Sequence, residues 1–174
     1  MRCYPLRGSS GLSRGFDRYD DAFLASPGAI ERSADAVMQS AEAWIDTNAA
    51  PPFFAWIHLF DPHSPYTPPP PFAAGHRDSP YDGEVAYTDA AVGRFLDHLR
   101  QRDLFAAATI VIVADHGESL GEHGERTHGT FLYDSTIRVP LLIKRSAKAS
   151  AERSADAGTS DARLKPSRSV DVPV

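Results

Sequence analysis

Apolar positions first settle into a helical period after Ser33, where Ala34, Val37, Met38, Ala41, Trp44 and Ile45 recur at i, i+3, i+4 and i+7 spacings. Ser33 offers a capping hydroxyl and Asp35 a negative charge in the first turn, so the pattern predicts a helix from Ser33 to about Asn48. Pro51-Pro52 ends it. Phe53-Phe54-Ala55-Trp56-Ile57-His58-Leu59-Phe60 follows as a nearly continuous apolar run, the pattern of a strand buried on both faces, and such strands belong mostly to parallel sheets. The run closes at Asp61-Pro62-His63. Five prolines between Pro65 and Pro71 then exclude helix and sheet interior, which leaves a loop running from a strand end.

A second helix is expected from about Asp82, with Asp82 and Glu84 at its positive end, Arg94, His98, Arg100 and Arg102 toward its negative end, and a buried stripe of Val85, Val92, Phe95, Leu96 and Leu99. Thr109 to Ala114 is β-branched and apolar, a second buried strand. Pro140-Leu141-Leu142-Ile143 is a third. Helix, strand, helix, strand in that order predicts an α/β fold, a layered, mostly parallel sheet flanked by helices.

The remaining stretches carry little core. Met1 to Asp21 is rich in Gly, Ser and Arg, an irregular arm. Residues 146–168 are almost devoid of apolar side chains and are expected to form a mobile loop. Ser169 to Val174 reads as the start of another strand, so both ends look cut within a single domain spanning 1–174. Composition excludes some classes. Eighteen Lys and Arg against 23 Asp and Glu leave a net charge of −5 with no basic stripe, so nucleic acid is not an expected partner. No apolar run is long enough to span a bilayer, and Met1 to Gly11 lacks the apolar core of a signal peptide. A single cysteine, Cys3, rules out an internal disulfide framework and says nothing of compartment.

Candidate chemistry concentrates at strand ends. Ala114-Asp115-His116-Gly117-Glu118 sets a carboxylate beside an imidazole at the carboxyl end of a strand, where open α/β sheets build their sites, and Gly117 is read as permitting a sharp exit. Asp favours hard cations, and His widens the choice. The loop that follows adds Glu118, Glu122, His123 and His128 with glycines between them. Asp61 and His63 close the first strand. His58 is read as a hydrogen-bonded core histidine, Trp44 and Phe95 as core, and His76 and His98 as solvated.

The strings FFAWIHLFDPHSPY, YDGEVAYTDAAVGRFL, VIVADHGESLGEHGE and THGTFLYDSTIRVPLLIK, together with Arg14 to Asp21, closely resemble the sulfatase family of the alkaline-phosphatase-like superfamily over about residues 11–145. The resemblance implies a metal-dependent hydrolase of sulfate esters. Asp115 looks like a family metal aspartate, and His116 stands where members carry Asn or His. His63 resembles a histidine that meets the substrate oxyanion, and His128 lies where relatives carry a Lys or His that donates to the ester oxygens. The implied cofactor is a divalent cation, calcium or magnesium before manganese or zinc. A small sulfate or phosphate ester is the implied substrate.

The family's paired metal aspartates and its Cys/Ser-x-Pro-x-Arg nucleophile segment normally precede the matched region, and neither is recognised here. The expectation is therefore an incomplete chain, inactive alone. Asp20-Asp21 and Pro166-Ser167-Arg168 are set aside as decoys. Cys3-Tyr4-Pro5-Leu6-Arg7 fits the nucleophile string formally but lies much nearer Arg14 to Asp21 than family spacing expects. A phosphodiester or phosphonate hydrolase of the same superfamily is the alternative activity. A non-catalytic remnant that self-associates through exposed edges is the alternative of another class.

Overall fold

The computed structural model describes residues 6–21, 32–48 and 51–147. Cys3, Pro166 to Arg168, Ser169 to Val174 and most of the expected loop 146–168 lie outside the described residues. The chain forms two compact units, Met1–Gln101 and Arg102–Val174.

In the first unit, α1 (Ala34–Asn48) and α3 (Pro80–Gln101) pack together, and the short α2 (Pro70–Gly75) packs on α3. Ser33 caps α1 as expected, its Oγ accepting from the Ala36 N–H at 3.4 Å. A second acceptor was not foreseen. Asp61 Oδ2 takes the Ala34 N–H at 2.7 Å, placing a carboxylate at the positive end of the helix. Ala34, Met38 and Ile45 of α1 and Tyr87, Ala91, Phe95 and Leu99 of α3 form the buried core. Fully burying a large apolar side chain stabilises by about 1.5–3 kcal/mol, whereas exposed ion pairs contribute about 0–1 kcal/mol. The helix pair is thus held by apolar burial. His98–Asp46 at 2.9 Å and Arg94–Asp35 fix only its register.

The expected stripe of α3 holds at Phe95 and Leu99, which are buried, and differs in the first turns. Gly83, Glu84, Tyr87 and Ala91 point inward, while Val85 is exposed. Two features set this inward face. Gly83 lets the first turn lie against Pro68 and His76, since an added Cβ would stand 2.8 Å from Pro68 Cγ. The Tyr87 hydroxyl accepts the Asp35 N–H at 3.0 Å. The proline stretch is also corrected: Pro70 and Pro71 open α2, because the first helical turn has no use for their missing N–H groups.

The run Phe53 to Phe60 is not a strand. Among the described residues no partner strand pairs with it, and Phe54 and Trp56 are 76% and 50% exposed. His58 is exposed as well, against the core reading. With Phe16, Trp44 and Ile45 the run lines an open apolar cleft of about 230 Å³. The arm before it is 3₁₀-like at Gly8–Ser10 and is tied down by polar contacts. Asp21 accepts the Gly8 N–H at 3.0 Å, and Asp20 pairs with Arg32 and Ser40 Oγ. Both aspartates are therefore structural, as the sequence indicated.

The second unit contains β1 (Ile110–Val113), β2 (Leu141–Lys144) and the one-turn α4 (Asp134–Ile137). The two strands pair antiparallel, with Val111 opposite Ile143 and Val113 opposite Leu141. The chain is α/β, but the sheet among the described residues has two antiparallel strands rather than parallel layers. Both strands leave apolar side chains more than half exposed, including Val113, Leu141 and Ile143. Lys144 closes one end, its ammonium donating to the carbonyls of Phe105, Ala106 and Ala108 and lying 4.6 Å from the Phe105 ring centre. Ser146 and Ala147 are hydrogen-bonded to Thr109 and Ala106, so the start of the expected mobile loop is anchored.

Burial pushes the Asp61 carboxyl above its ordinary value near 3.8, Asp35 adds repulsion, and the Ala34 N–H offsets part of this. The folded state then holds this proton to higher pH than the unfolded chain. The group's contribution to stability is greatest below about 3.8 and falls as pH rises through the raised value. Asn at this position keeps an oxygen for the Ala34 N–H and removes the titration. Urea denaturation between about pH 3 and pH 7 should show the stability of the parent relative to Asp61→Asn falling across that window; a constant difference would disprove the assignment.

Candidate active site

β1 delivers Asp115 and His116 to its carboxyl end, as the sequence predicts. The Gly117 N–H then donates to the Thr136 carbonyl at 2.8 Å and draws the turn against the start of the segment leading to β2. An added Cβ on Gly117 would stand 2.2 Å from the Ser135 carbonyl oxygen. Glycine is required here by the approach of another backbone, not by a sharp exit, since its φ is not among the positive ones.

The side chains beyond it form a chain of contacts. Asp115 Oδ1 accepts the His116 N–H at 3.0 Å, and its other oxygen lies 3.7 Å from His116 Nε2. The His116 ring stacks on the His128 ring at 3.8 Å. His128 Nδ1 in turn lies 3.2 and 3.3 Å from the two carboxylate oxygens of Glu118. Burial is graded along this line. The Asp115 side chain is 74% exposed, His116 41%, His128 32% and Glu118 7%.

A carbonyl can only accept, so the contact of His116 Nδ1 with the Gly117 carbonyl at 2.7 Å places the proton on Nδ1 and leaves the lone pair on Nε2. Metal-bound histidines are characteristically oriented in this way, by a backbone carbonyl or carboxylate on the other nitrogen. Nε2 and the Asp115 carboxylate, 3.7 Å apart, are close enough to reach one cation together. They fit a metal as part of a shell. Among the described residues no group of three or more His, Cys, Asp or Glu is gathered to hold one.

The loop that carries His128 is organised around Ser119, which the sequence reading missed. Ser119 is fully buried, and its hydroxyl reaches the Glu125 carbonyl at 2.9 Å and the Glu122 carbonyl at 3.2 Å. Glu122 takes the Leu120 N–H at 2.7 Å, and backbone hydrogen bonds hold its carboxyl below the usual range. Buried Glu125 takes the Thr130 and Phe131 N–H groups at 3.1 and 3.4 Å. His123 stacks on Tyr133 instead of joining the cluster. A signal existed for Ser119: a small polar residue next to Leu120-Gly121 in a loop whose glycines invite close packing.

His63 belongs to the first unit. Its ring stacks on Phe60 at 4.1 Å, and its Nδ1 donates to the Ser64 carbonyl at 2.7 Å. Its backbone N–H donates to Glu84 Oε2 at 2.9 Å, while Glu84 Oε1 takes the Thr67 N–H at 2.5 Å. Glu84, buried to 4% exposure on α3, thus pins the segment that presents His63. Asp61 points instead to the start of α1, away from a ligand role. Arg138, just before β2, is exposed.

These features place two acid–imidazole pairs together at the end of a strand in an α/β chain. The family follows from comparison: the Sulfatase family model matches residues 7–167, and the chain belongs to the sulfatase family. Iduronate 2-sulfatase of Homo sapiens is 39% identical over 80 residues, 45% of this chain and 14% of that protein. Phosphoethanolamine transferase EptA of Escherichia coli strain K12 is 35% identical over 66 residues, 36% of this chain and 12% of that protein. The chain therefore spans a small part of the length of these relatives. The crystal structure of Ps i-CgsB in complex with k-i-k-neocarrahexaose superimposes with a TM-score of 0.56 over 78% of this chain and 33% of that one, at 21% identity, a likeness of fold.

Two glycines separate the kinds of constraint. Gly93 lies inside α3 with open space around it, and Gly117 faces backbone. Gly93→Ala is expected to raise stability by about 0.5–1 kcal/mol through helix propensity. Gly117→Ala should lower it by about 1–3 kcal/mol through overpacking. Thermal and urea denaturation of both variants reads this directly, and an unperturbed Gly117→Ala would show that the close approach to Ser135 is absent in solution.

Proposed function

We propose that this chain supplies part of the active site of a metal-dependent sulfatase-family hydrolase acting on sulfate esters. Asp115 and His116 are the metal ligands, and His63 and His128 are donors to the ester oxygens. The observation that carries the reading is the Asp115–His116–His128–Glu118 line at the end of β1, inside the span matched by the family model. A bound divalent cation, calcium or magnesium before manganese or zinc, would stabilise the charge that develops on oxygens during sulfuryl or phosphoryl transfer. The residues of this chain do the rest. His116 is oriented by the Gly117 carbonyl, His63 by the Ser64 carbonyl and Glu84, and His128 by Glu118.

Two ligands leave a hard cation, which takes six or more oxygens, under-coordinated. The 174-residue chain alone is accordingly expected to be inactive or nearly so, as part of a partial alkaline-phosphatase-like domain with a mostly parallel sheet. A second reading, a phosphodiester or phosphonate hydrolase, is favoured by the paired His116 and His128 and by the likeness to a phosphoethanolamine transferase. A third, a partner-binding remnant that self-associates, draws on the exposed apolar strands.

The test begins with the mass of the native polypeptide in its source cells, detected by an antibody to this segment. That polypeptide and the 174-residue chain are then assayed with an aryl sulfate and an aryl phosphonate, with and without chelator. The expected result is chelator-sensitive sulfate hydrolysis by the native form and at least a hundredfold less by the short chain, on the order of the loss when a catalytic metal shell is incomplete. Preference for the phosphonate would select the second reading. No turnover by the native form, with concentration-dependent association, would select the third.

A further inference from the structure

Glu118 is one of several acids in the loop after β1, yet its side chain is the most buried of the charged ones in the cluster, 7% exposed, with both oxygens within 3.3 Å of one imidazole nitrogen. Burying a carboxylate is costly unless it is hydrogen-bonded or paired. The loop also spends a fully buried serine, Ser119, on fixing the backbone beside Glu118. A carboxylate placed so firmly accepts a proton-bearing nitrogen and not a lone pair.

We propose that Glu118 is the positioning residue for His128: its carboxylate takes the Nδ1 proton, locks the ring in the Nδ1–H tautomer, and makes Nε2 the nitrogen that meets the ester oxygens. The proposal rests on the role assigned to His128 above. It makes the three site histidines alike. His63 and His116 donate Nδ1–H to the Ser64 and Gly117 carbonyls at 2.7 Å each, and His128 uses a carboxylate in the same place. The His116 ring at 3.8 Å supports one face of His128 and limits rotation about its side-chain bonds. The carboxylate adds what a carbonyl lacks, a full negative charge to balance an imidazolium when Nε2 carries a proton. No bond to substrate is made by Glu118 itself.

The experiment is two-bond ¹H–¹⁵N correlation of the histidine rings in the 174-residue chain at about pH 9, where imidazole is neutral. His128 is expected to show the Nδ1–H pattern, Glu118→Gln to keep it because its amide oxygen still accepts, and Glu118→Ala to move it toward the Nε2–H form that solvated imidazole favours. His76, whose Nδ1 faces the Phe72 carbonyl at 2.9 Å, should keep its pattern throughout and report the fold. An Nε2–H pattern for His128 in the parent chain, or no change in Glu118→Ala, would overturn the proposal. If Glu118→Ala disturbs the amide signals of Ser119 to Glu125, the parent chain decides alone: a ring Nδ1 proton close to the Glu118 methylene supports it, and its absence overturns it. The measurement needs no turnover, so it separates failure of this assignment from failure of the sulfatase reading.

Discussion

Backbone N–H groups in irregular segments must find acceptors once they are shielded from water, and here carboxylates supply many of them. Asp21 takes the N–H of Gly8, Asp61 that of Ala34, and Glu84 those of His63 and Thr67. In the second unit Asp115 takes that of His116, Glu122 that of Leu120, and Glu125 those of Thr130 and Phe131. Such charge-assisted bonds are short and strong, roughly twice a neutral one. The acidic excess holds loops, and the loops hold the candidate histidines.

The helices were legible because their information is local. Ser33 and Asp35 mark the start of α1, and the 3.6-residue period survives in both α1 and α3. What periodicity cannot encode is which backbone comes near which. The inward face of the first turns of α3 follows from Gly83 meeting Pro68 and from buried Glu84 reaching the loop, both contacts distant in sequence. The apolar run Phe53 to Phe60 shows the same limit from the other side. Its composition reports an environment suited to burial, but a strand exists only with a hydrogen-bonded neighbour, and none is present among the described residues. For the same reason the antiparallel pairing of β1 with β2 could not be read from two β-branched runs.

Of the site, the residue types were legible and the wiring was not. Asp115, His116 and His128 are recognisable because acids and imidazoles crowd a glycine-rich loop after a strand. The contacts that orient them come from residues with no chemical signature of their own: the carbonyls of Ser64 and Gly117, the hydroxyl of Ser119, the missing side chain of Gly117. Asp61 illustrates the converse. It sits in a plausible ligand string, yet the end of α1 offers an unsatisfied N–H and a positive dipole, and that local demand captures the carboxylate.

The gradient of exposure along Asp115, His116, His128 and Glu118 divides the labour within the cluster. Glu118 is buried and held by the loop, so its position is set before any ligand arrives, and the ring it faces inherits that rigidity. Asp115 is largely exposed and spends one oxygen on the next backbone N–H, which leaves the rest of its carboxylate solvated and able to adjust. The two imidazoles lie face to face at 3.8 Å, each with an acid beside it, Asp115 near His116 and Glu118 at His128. Positional constraint therefore resides at the buried end of the line, at Glu118 and the ring it faces. Adaptability resides at the exposed end, where, under the proposed function, a cation would draw its remaining ligands from elsewhere.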